Sequence, residues 1–178
     1  IGKYIEGFDF TRTDGRDANA IVESNAGIGD KKPSCYINLL NSSTTTTLTT
    51  ANAWYKVNWD YTKITTATVK WTITNAAGGV ANVNRITFQP TNKRDGIIII
   101  TGTLSVNNSS RTISLGLVKN GVSTTRYGET TLRTSTAGTA SQFSTVIYLS
   151  DISATDYFEV YCSSANSGDI ITMLELNW

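Results

Sequence analysis

The chain has 178 residues, enough for one domain with a hydrophobic core or for one domain that carries an extended arm. Lys and Arg number 15 against 14 for Asp and Glu, which gives a formal net charge of +1, with the charges scattered along the chain. Binding to nucleic acid or to an anionic membrane surface requires a basic face or stripe, so neither partner is expected.

Thr, Ser and Asn together supply roughly a third of the residues, well above their ordinary share. Thr favours strands because its branched β-carbon suits a pleated, half-buried surface. No apolar run approaches the length of about 20 residues that crosses a bilayer, so membrane insertion is not expected. The composition predicts an all-β protein on a virion surface or in an extracellular setting.

Residues 1–50 are rich in turn-forming residues and carry little apolar pattern. Within them, SCYINLL from Ser34 to Leu40 predicts a strand, and the Thr-rich run after it is typical of a spacer or a surface loop. We expect residues 1–50 to form an extended N-terminal segment that acts as a linker, a wrapping arm or a shaft attachment. Residues 51–178 are then the β domain.

From Trp54 onward, short apolar runs alternate with Gly, Asn, Asp and Ser at a spacing of about 8–12 residues, which is typical of a sandwich or a barrel. Period-two alternation is clearest in RTISLGLVK and QFSTVIYLS, where every second side chain is expected to face the core. Asn120 and Gly121 predict a type I′ turn, because both residues reach positive φ at low cost.

The run from Ile97 to Ile100 places four β-branched residues in succession. A strand of this kind has apolar side chains on both faces. We expect one face to pack on the opposing sheet and the other to lie under a second subunit or an overlying part of the chain. The run therefore favours oligomerisation.

Groups able to catalyse a reaction or hold a metal are scarce. There is no histidine, which removes Ser-His-Asp, Cys-His and His-metal arrangements and the general base best suited to neutral pH. The acids fall mostly in turns or at strand starts, and Asp9, Asp14 and Asp17 lack the spacing of a helix-loop-helix calcium loop. We predict no enzyme activity, no catalytic residue, no metal and no cofactor. Whether Cys35 and Cys162 are bonded or separately buried stays open.

Five aromatic residues that lie close together in sequence have two interpretations. Flat rings can stack on sugars, and Tyr and Trp add a polar group. In alternating strands at least half of them must point inward, so packing in a core or an interface is the default. The residues are Trp54, Tyr55, Trp59, Tyr61 and Trp71.

The segments after Ile86 follow a characteristic order: RITFQPTNKRDGIIIITGTLSV, ISLGLVKNGV, FSTVIYLSDISATDYFEVYCSS and DIITMLELNW. This half of the chain resembles the trimeric jelly roll of the tumour necrosis factor and complement globular-head superfamily, especially its versions in bacteriophage fibres and virion appendages. One position departs from that pattern. A Gly-Asp pair commonly opens the penultimate strand in the family, and this chain has Thr155-Asp156.

The resemblance implies an antiparallel jelly-roll sandwich and a homotrimer with apolar and aromatic side chains of the later strands near the threefold axis. The candidate interface residues are Phe143, Val146, Tyr148, Ile171 and Met173. The alternative is that these residues belong to the core of a monomer.

Three functions follow as hypotheses. The first is a non-enzymatic virion surface protein, a phage fibre head or a capsid-decorating appendage, that contacts other virion proteins and attaches to a host-surface glycan or protein. The second is a secreted filament or adhesin subunit in which the first 50 or so residues add a strand to the next subunit. The third, and least favoured, is an extracellular enzyme that uses paired carboxylates on carbohydrate.

Overall fold

The computed structural model describes residues 34–60, 62, 64–69, 71–74, 84–89 and 94–178. Within these ranges the chain forms twelve strands, β1 to β12. In chain order their bounds are Ser34–Leu39, Thr45–Leu48, Tyr55–Lys56, Ile64–Val69, Trp71–Thr74, Arg85–Phe88, Arg94–Val106, Arg111–Lys119, Arg126–Thr134, Ser141–Ile152, Tyr157–Ser164 and Asp169–Asn177. Residues 1–33, with Asp9, Asp14 and Asp17, lie outside the described residues, as does Tyr61.

The strands of the described ranges form two antiparallel sheets. Sheet A has the order β10-β7-β12-β1-β4 with β2 beside β12, and sheet B has the order β5-β6-β11-β8-β9 with β3 beside β11. The pairings are nested: β8 with β9, β7 with β10, β6 with β11 and β1 with β12. A long hairpin folded over on itself in this way is a jelly roll. The predicted all-β, antiparallel jelly-roll sandwich is confirmed.

The boundary expected at residue 50 falls between β2 and β3. Both strands before it pair with β12, and β1 also pairs with β4. In β2, Thr46 and Leu48 are buried while Thr45 and Thr47 are exposed, and Thr46 Oγ1 accepts a hydrogen bond from the backbone N–H of Asn58 at 2.8 Å. The prediction of a spacer or surface loop is wrong for these four residues, because Thr alternates between core and solvent as readily as an apolar residue does.

The core lies between the two sheets and is filled by every second side chain of the long strands. The inward faces of β8 and β10 are as predicted: Ile113 and Leu117 are buried on β8, and Phe143, Ile147 and Leu149 are buried on β10. Each such side chain contributes about 1.5–3 kcal/mol when it leaves water. The alternation in the sequence therefore places the core correctly.

The two cysteines are separate thiols in opposite sheets, Cys35 on β1 and Cys162 on β11. Burial raises the pKa of both thiols to about 12. Since the thiolate is the reactive form, neither side chain is a nucleophile at neutral pH. Their role is packing.

The isoleucines of β7 alternate in the ordinary way. Ile98 and Ile100 are buried in the core, whereas Ile97 and Ile99 point out of sheet A and are exposed. The expected second cover over the outer face is not supplied by any part of the chain that the structure describes.

One side of the sandwich is closed where β9 of sheet B approaches β10 of sheet A. The hydroxyl of Thr145 donates to the carbonyl oxygen of Gly128 at 3.0 Å. Gly128 has a φ of +58°, and a Cβ at this position would lie 2.7 Å from Cδ1 of Ile147 and closer still to Cγ1. Both the backbone conformation and the space require glycine.

Candidate functional site

Four exposed apolar side chains lie together on the outer face of sheet A. The register of the edge strand β10 with β7 places Val146 opposite Ile99 and Tyr148 opposite Ile97. Directly opposed residues have Cβ atoms about 4.5–5.5 Å apart, so the four side chains are contiguous. Their exposed fractions are 69% for Ile97, 56% for Ile99 and 65% for both Val146 and Tyr148. We call these four residues the apolar patch.

The apolar patch contrasts with a surface that is otherwise rich in Thr, Ser and Asn. An exposed apolar side chain standing by itself is normal in a soluble protein, whereas a contiguous group of them marks an interaction site. Val122, for example, is 51% exposed but lies in the loop between β8 and β9 rather than on the sheet. The patch is therefore the strongest candidate for a protein-binding surface among the described residues.

The hydroxyl of Tyr148 is the only polar side-chain atom of the apolar patch, and it already has a partner. It donates to Oδ2 of Asp95 at 2.9 Å, while Oδ1 of Asp95 accepts the backbone N–H of Asp151 at 3.0 Å. The hydrogen bond to Asp95 and the charge of that carboxylate raise the pKa of Tyr148. The Asp151 N–H and then the Tyr148 hydroxyl lower the pKa of Asp95. When water leaves the apolar patch, the Tyr148 hydroxyl keeps its hydrogen bond to Asp95. This lowers the free-energy cost of burying the patch.

The five predicted interface residues divide between the patch and the core. Val146 and Tyr148 are exposed in the patch, but Phe143, Ile171 and Met173 are buried between the sheets. Phe143 is three residues from Val146 and so points to the opposite face. Ile171 and Met173 occupy inward positions of β12. Only Val146 and Tyr148 can meet a partner without unfolding, and an interface at these two residues stays a prediction.

A polar groove lies on the same face, next to the apolar patch. It has a volume of about 470 Å³. The strand register sets Ser144, Thr101 and Asn177 in one row across β10, β7 and β12, with Thr103 and Glu175 paired in the next row. We call the groove lined by these residues the polar groove, and its full lining is Thr101, Gly102, Thr103, Gln142, Phe143, Ser144, Glu175 and Asn177.

The groove exists because the outward residues of its floor, Thr101, Thr103 and Ser144, are short and because β12 is irregular beside it. Gly102 faces the core between the two threonines, where a Cβ would collide with the Glu175 carbonyl oxygen and lie 2.8 Å from the Phe143 ring, so glycine permits the close approach of β12 to β7 under the groove. The register of β12 with β7 shifts between Met173 and Glu175, so Leu174 is an extra residue. A bulge of this kind bends the strand and redirects the next side chain. Glu175 is thereby presented at the rim of the groove.

Sequence reasoning missed the polar groove, although part of its signal was present. Thr101 and Thr103 continue the outward positions of Ile97 and Ile99 at period two, so one face of β7 changes from apolar to hydroxyl-bearing along its length. The bulge in β12 has no sequence marker of comparable strength.

The aromatic residues do not form one platform among the described residues. Trp59 is buried in the core, and Trp71 packs on Phe88 with ring centroids 4.8 Å apart. The Arg126 guanidinium covers the ring of Trp54 at 4.3 Å from its centroid. Tyr55 is held by its hydroxyl, which accepts the backbone N–H of Thr50 at 2.8 Å. Packing, the default expected from the sequence, accounts for these rings.

The predicted turn at Asn120 and Gly121 belongs to a polar cluster at one end of the sandwich. Their φ values are +55° and +71°, the signs that a type I′ turn requires. Asn120 Nδ2 donates to Oδ1 of Asp156 at 2.7 Å, and Lys119 Nζ lies 2.7 Å from the other oxygen. Burial by itself would raise the pKa of Asp156, but bonds from Lys119, Asn120 and the Ser153 N–H outweigh it, and the pKa is lowered.

Thr155, which stands where the resembling family commonly has glycine, has a φ of +71°. A β-branched residue is strained in this region, whereas glycine is not. Its N–H donates to the carbonyl oxygen of Phe88 at 2.9 Å, which holds the turn in place. The turn therefore keeps the backbone conformation of a glycine turn without the glycine.

The opposite end of the sandwich is held by Asp169, which is fully buried. Its carboxylate accepts hydrogen bonds from Ser164 Oγ at 2.6 Å and from Asn108 Nδ2 and Arg111 Nε at 2.8 Å each. Burial alone would raise the pKa of Asp169, and these three donors together lower it. On sheet B, the buried Glu159 is paired with Lys56 and Arg85 at 3.3 Å each. These acids are structural, which leaves no carboxylate pair for hydrolysis at these positions.

Within the described ranges, no group of three or more Cys, Asp or Glu residues is placed to hold a metal ion. The same ranges contain no helix of the length and apolarity that a membrane span needs.

Comparisons with known proteins give a likeness of fold at low similarity. No family model and no curated protein sequence matches the chain. One similar solved structure is a carbohydrate binding module, CBM6cm-2, from Cellvibrio mixtus lichenase 5A in complex with cellotriose. It is 11% identical with a TM-score of 0.36, over 79% of this chain and 95% of that one. Another is a candidate sugar binding protein from Bacteroides thetaiotaomicron, 12% identical with a TM-score of 0.34, over 78% of this chain and 97% of that one. These values are too low to assign a function, which we therefore base on the chain's own geometry.

Proposed function

We propose that the chain is a non-enzymatic structural protein of a virion surface, a bacteriophage fibre head or a capsid-decorating appendage. In this proposal it assembles as a homotrimer, contacts other virion proteins and attaches to a glycan or protein of the host surface. The observation that carries the proposal is the apolar patch, which is a contiguous group of exposed apolar side chains that no described residue covers.

The architecture supports the same proposal. Nested pairing from β8–β9 outward to β1–β12 is the jelly-roll order that viral capsid and lectin domains use. The likeness to trimeric heads predicts Val146 and Tyr148 among the interface residues, and these two are exposed beside Ile97 and Ile99. A second copy of the chain is the occupant we propose, because it supplies a matching apolar surface.

Burial of the apolar patch would supply a large part of the free energy that assembly requires. Full burial of a Val, Ile or aromatic side chain is worth about 1.5–3 kcal/mol. With exposed fractions of 56% to 69%, covering the four residues contributes about 4–8 kcal/mol per subunit. Association costs about 4–15 kcal/mol in lost rigid-body freedom, so the patch supplies a large part of what is needed and neighbouring contacts supply the rest.

Light scattering coupled to size-exclusion chromatography tests the assembly. The wild-type chain is expected at three times the monomer mass of 19.3 kDa. Val146→Lys should give a folded monomer, because a lysine ammonium cannot be desolvated in the interface. Val122→Lys is the matched control, since it changes an exposed valine outside the patch. A monomeric wild type at micromolar concentration would refute the trimer, and equal masses for the two variants would refute the apolar patch as its interface.

A second candidate, a secreted filament or adhesin subunit assembled by strand addition, is favoured by β4, the strand at the other end of sheet A from β10. Among the described residues β4 pairs with β1 on one side. Edge strands accept strands from other chains. The donor would be residues 1–33, and deletion of that segment should abolish polymerisation while leaving a folded domain. The deletion must stop there, because β1 and β2 pair within sheet A. Continued polymerisation of the shortened chain would exclude this mode.

A further inference from the structure

We infer that the polar groove binds a neutral carbohydrate. This inference rests on the proposed function, since it names the site and the ligand class for attachment to a host-surface glycan. The groove differs from the apolar patch in chemistry, and it occupies the other part of the outer face of sheet A.

The hydrogen-bonding groups of the groove are available to a ligand. Gln142, Ser144 and Thr101 have no side-chain hydrogen bond to any residue that the structure describes. Asn177 uses its Oδ1 to accept from Asn38 Nδ2 at 2.8 Å, which leaves its own NH₂ free to donate. These groups offer both donors and acceptors within one groove, as a polyhydroxylated ligand requires.

The state of these groups contrasts with that of the buried polar clusters. Around Asp156 and Asp169 the carboxylates bind several donors of the chain itself, so the polar atoms there stabilise the fold. Polar side chains that merely face solvent on the outer side of a sheet do not have to surround a common depression. The hydroxyl and amide groups of the groove instead converge on a volume of about 470 Å³, within the range of about 300–1,000 Å³ for small-molecule sites.

The charge of the groove selects the ligand class. Glu175 is the only charged residue of its lining, and one carboxylate oxygen accepts from the Thr103 hydroxyl at 3.2 Å. The other oxygen can accept from a sugar hydroxyl, and charge-assisted bonds of this kind are stronger than neutral ones. A sialylated or sulfated glycan would bring a second anion beside Glu175, which is unfavourable. The lining therefore favours neutral sugars over acidic ones.

Ligand-detected NMR and isothermal titration calorimetry on the full chain test the inference. The probes are a panel of neutral hexose and N-acetylhexosamine oligosaccharides, a panel of sialylated and sulfated ones, and an uncharged peptide panel. Thr101→Val removes a groove hydroxyl with little change of shape, and Gln142→Ala removes the groove carboxamide. Thr112→Val, an exposed threonine on the outer face of β8 in the other sheet, is the matched control.

At least one neutral oligosaccharide is expected to bind, with affinity lowered at least tenfold by Thr101→Val or Gln142→Ala and unchanged by Thr112→Val. No binding by the neutral panel at millimolar concentration overturns the inference. Binding whose affinity is unchanged in Thr101→Val and Gln142→Ala also overturns the inference. Binding of only the acidic glycans or the peptides overturns it as well. The molecular mass measured on the same samples separates the two proposals. A trimer that binds no sugar refutes carbohydrate binding at the polar groove but not the assembly. A monomer that binds neutral sugar refutes the trimer but not the binding site.

Discussion

Replacement of Gly128 by alanine tests the closure of the sandwich between β9 and β10. The added Cβ meets Cγ1 and Cδ1 of Ile147, a core residue, and lies 3.0 Å from Oγ1 of Thr145. Two costs combine. Positive φ costs a residue with a Cβ about 1–2 kcal/mol, and overpacking a filled core costs about 1–3 kcal/mol. Gly128→Ala should therefore lower the free energy of unfolding by about 2–5 kcal/mol.

The matched control for this substitution is Gly138→Ala. Gly138 also has a positive φ, +73°, but no atom lies within 4 Å of the position that a Cβ would take. Only the backbone cost remains, about 1–2 kcal/mol. The difference between the two variants isolates the steric contact with Ile147.

Urea denaturation monitored by tryptophan fluorescence gives both free energies, and thermal melting gives a second measure. For a chain of this size 1 kcal/mol shifts the Tm by roughly 2–4 °C. Adding Ile147→Ala to Gly128→Ala should be less costly than the sum of the two single changes, by at least about 1 kcal/mol, because the new methyl group occupies vacated space. Equal losses for Gly128→Ala and Gly138→Ala, together with additivity in the double variant, would refute the close approach of the two strands.

Two further predictions concern the ends of the sandwich. Thr155→Gly should raise the free energy of unfolding by about 0.5–1 kcal/mol, because relief of the positive φ exceeds the entropy cost of glycine; a fall in stability by denaturation would contradict this. Asp156 and Asp169 have lowered pKa values in the folded chain, so their stabilisation is complete above the unfolded-state pKa of about 3.9 and is lost as the pH falls through the lower folded-state values. Asp169→Asn should reduce the free energy of unfolding at pH 7 by about 1.5–3 kcal/mol. It should also make the free energy of unfolding fall less steeply as the pH is lowered. An unchanged pH dependence would show that the donors described above do not hold the Asp169 carboxylate.

The parts of the fold that follow from side-chain alternation could be predicted from the sequence. Ile113 and Leu115 on β8, and Phe143 on β10, alternate with polar or small residues, and the alternation fixes which face is inward. The Thr-rich run could not be placed in this way, because Thr46 and Thr47 are the same residue type on opposite faces of β2.

The candidate site was only partly accessible for related reasons. Four identical isoleucines carry no information about which pair faces the core, and a single-chain pattern does not say what covers Ile97 and Ile99. In DIITMLELNW the bulge at Leu174 changes the face of every later residue, so Glu175 and Asn177 could not be assigned to the groove. Register shifts depend on tertiary contacts rather than on local composition.

The pairing of β1 with β12 also governs the order in which the chain can fold. The hydrogen bond from Asn38 to Asn177 joins residues 139 positions apart. Closing so long a loop costs entropy before any contact compensates for it, and folds dominated by such pairings form in milliseconds to seconds rather than microseconds. The hairpin β8–β9 is local and can form early, whereas sheet A is complete only after β1 and β12 have paired. Until they meet, the edge of β12 is unpaired, and this interval is when a neighbouring chain can capture the strand.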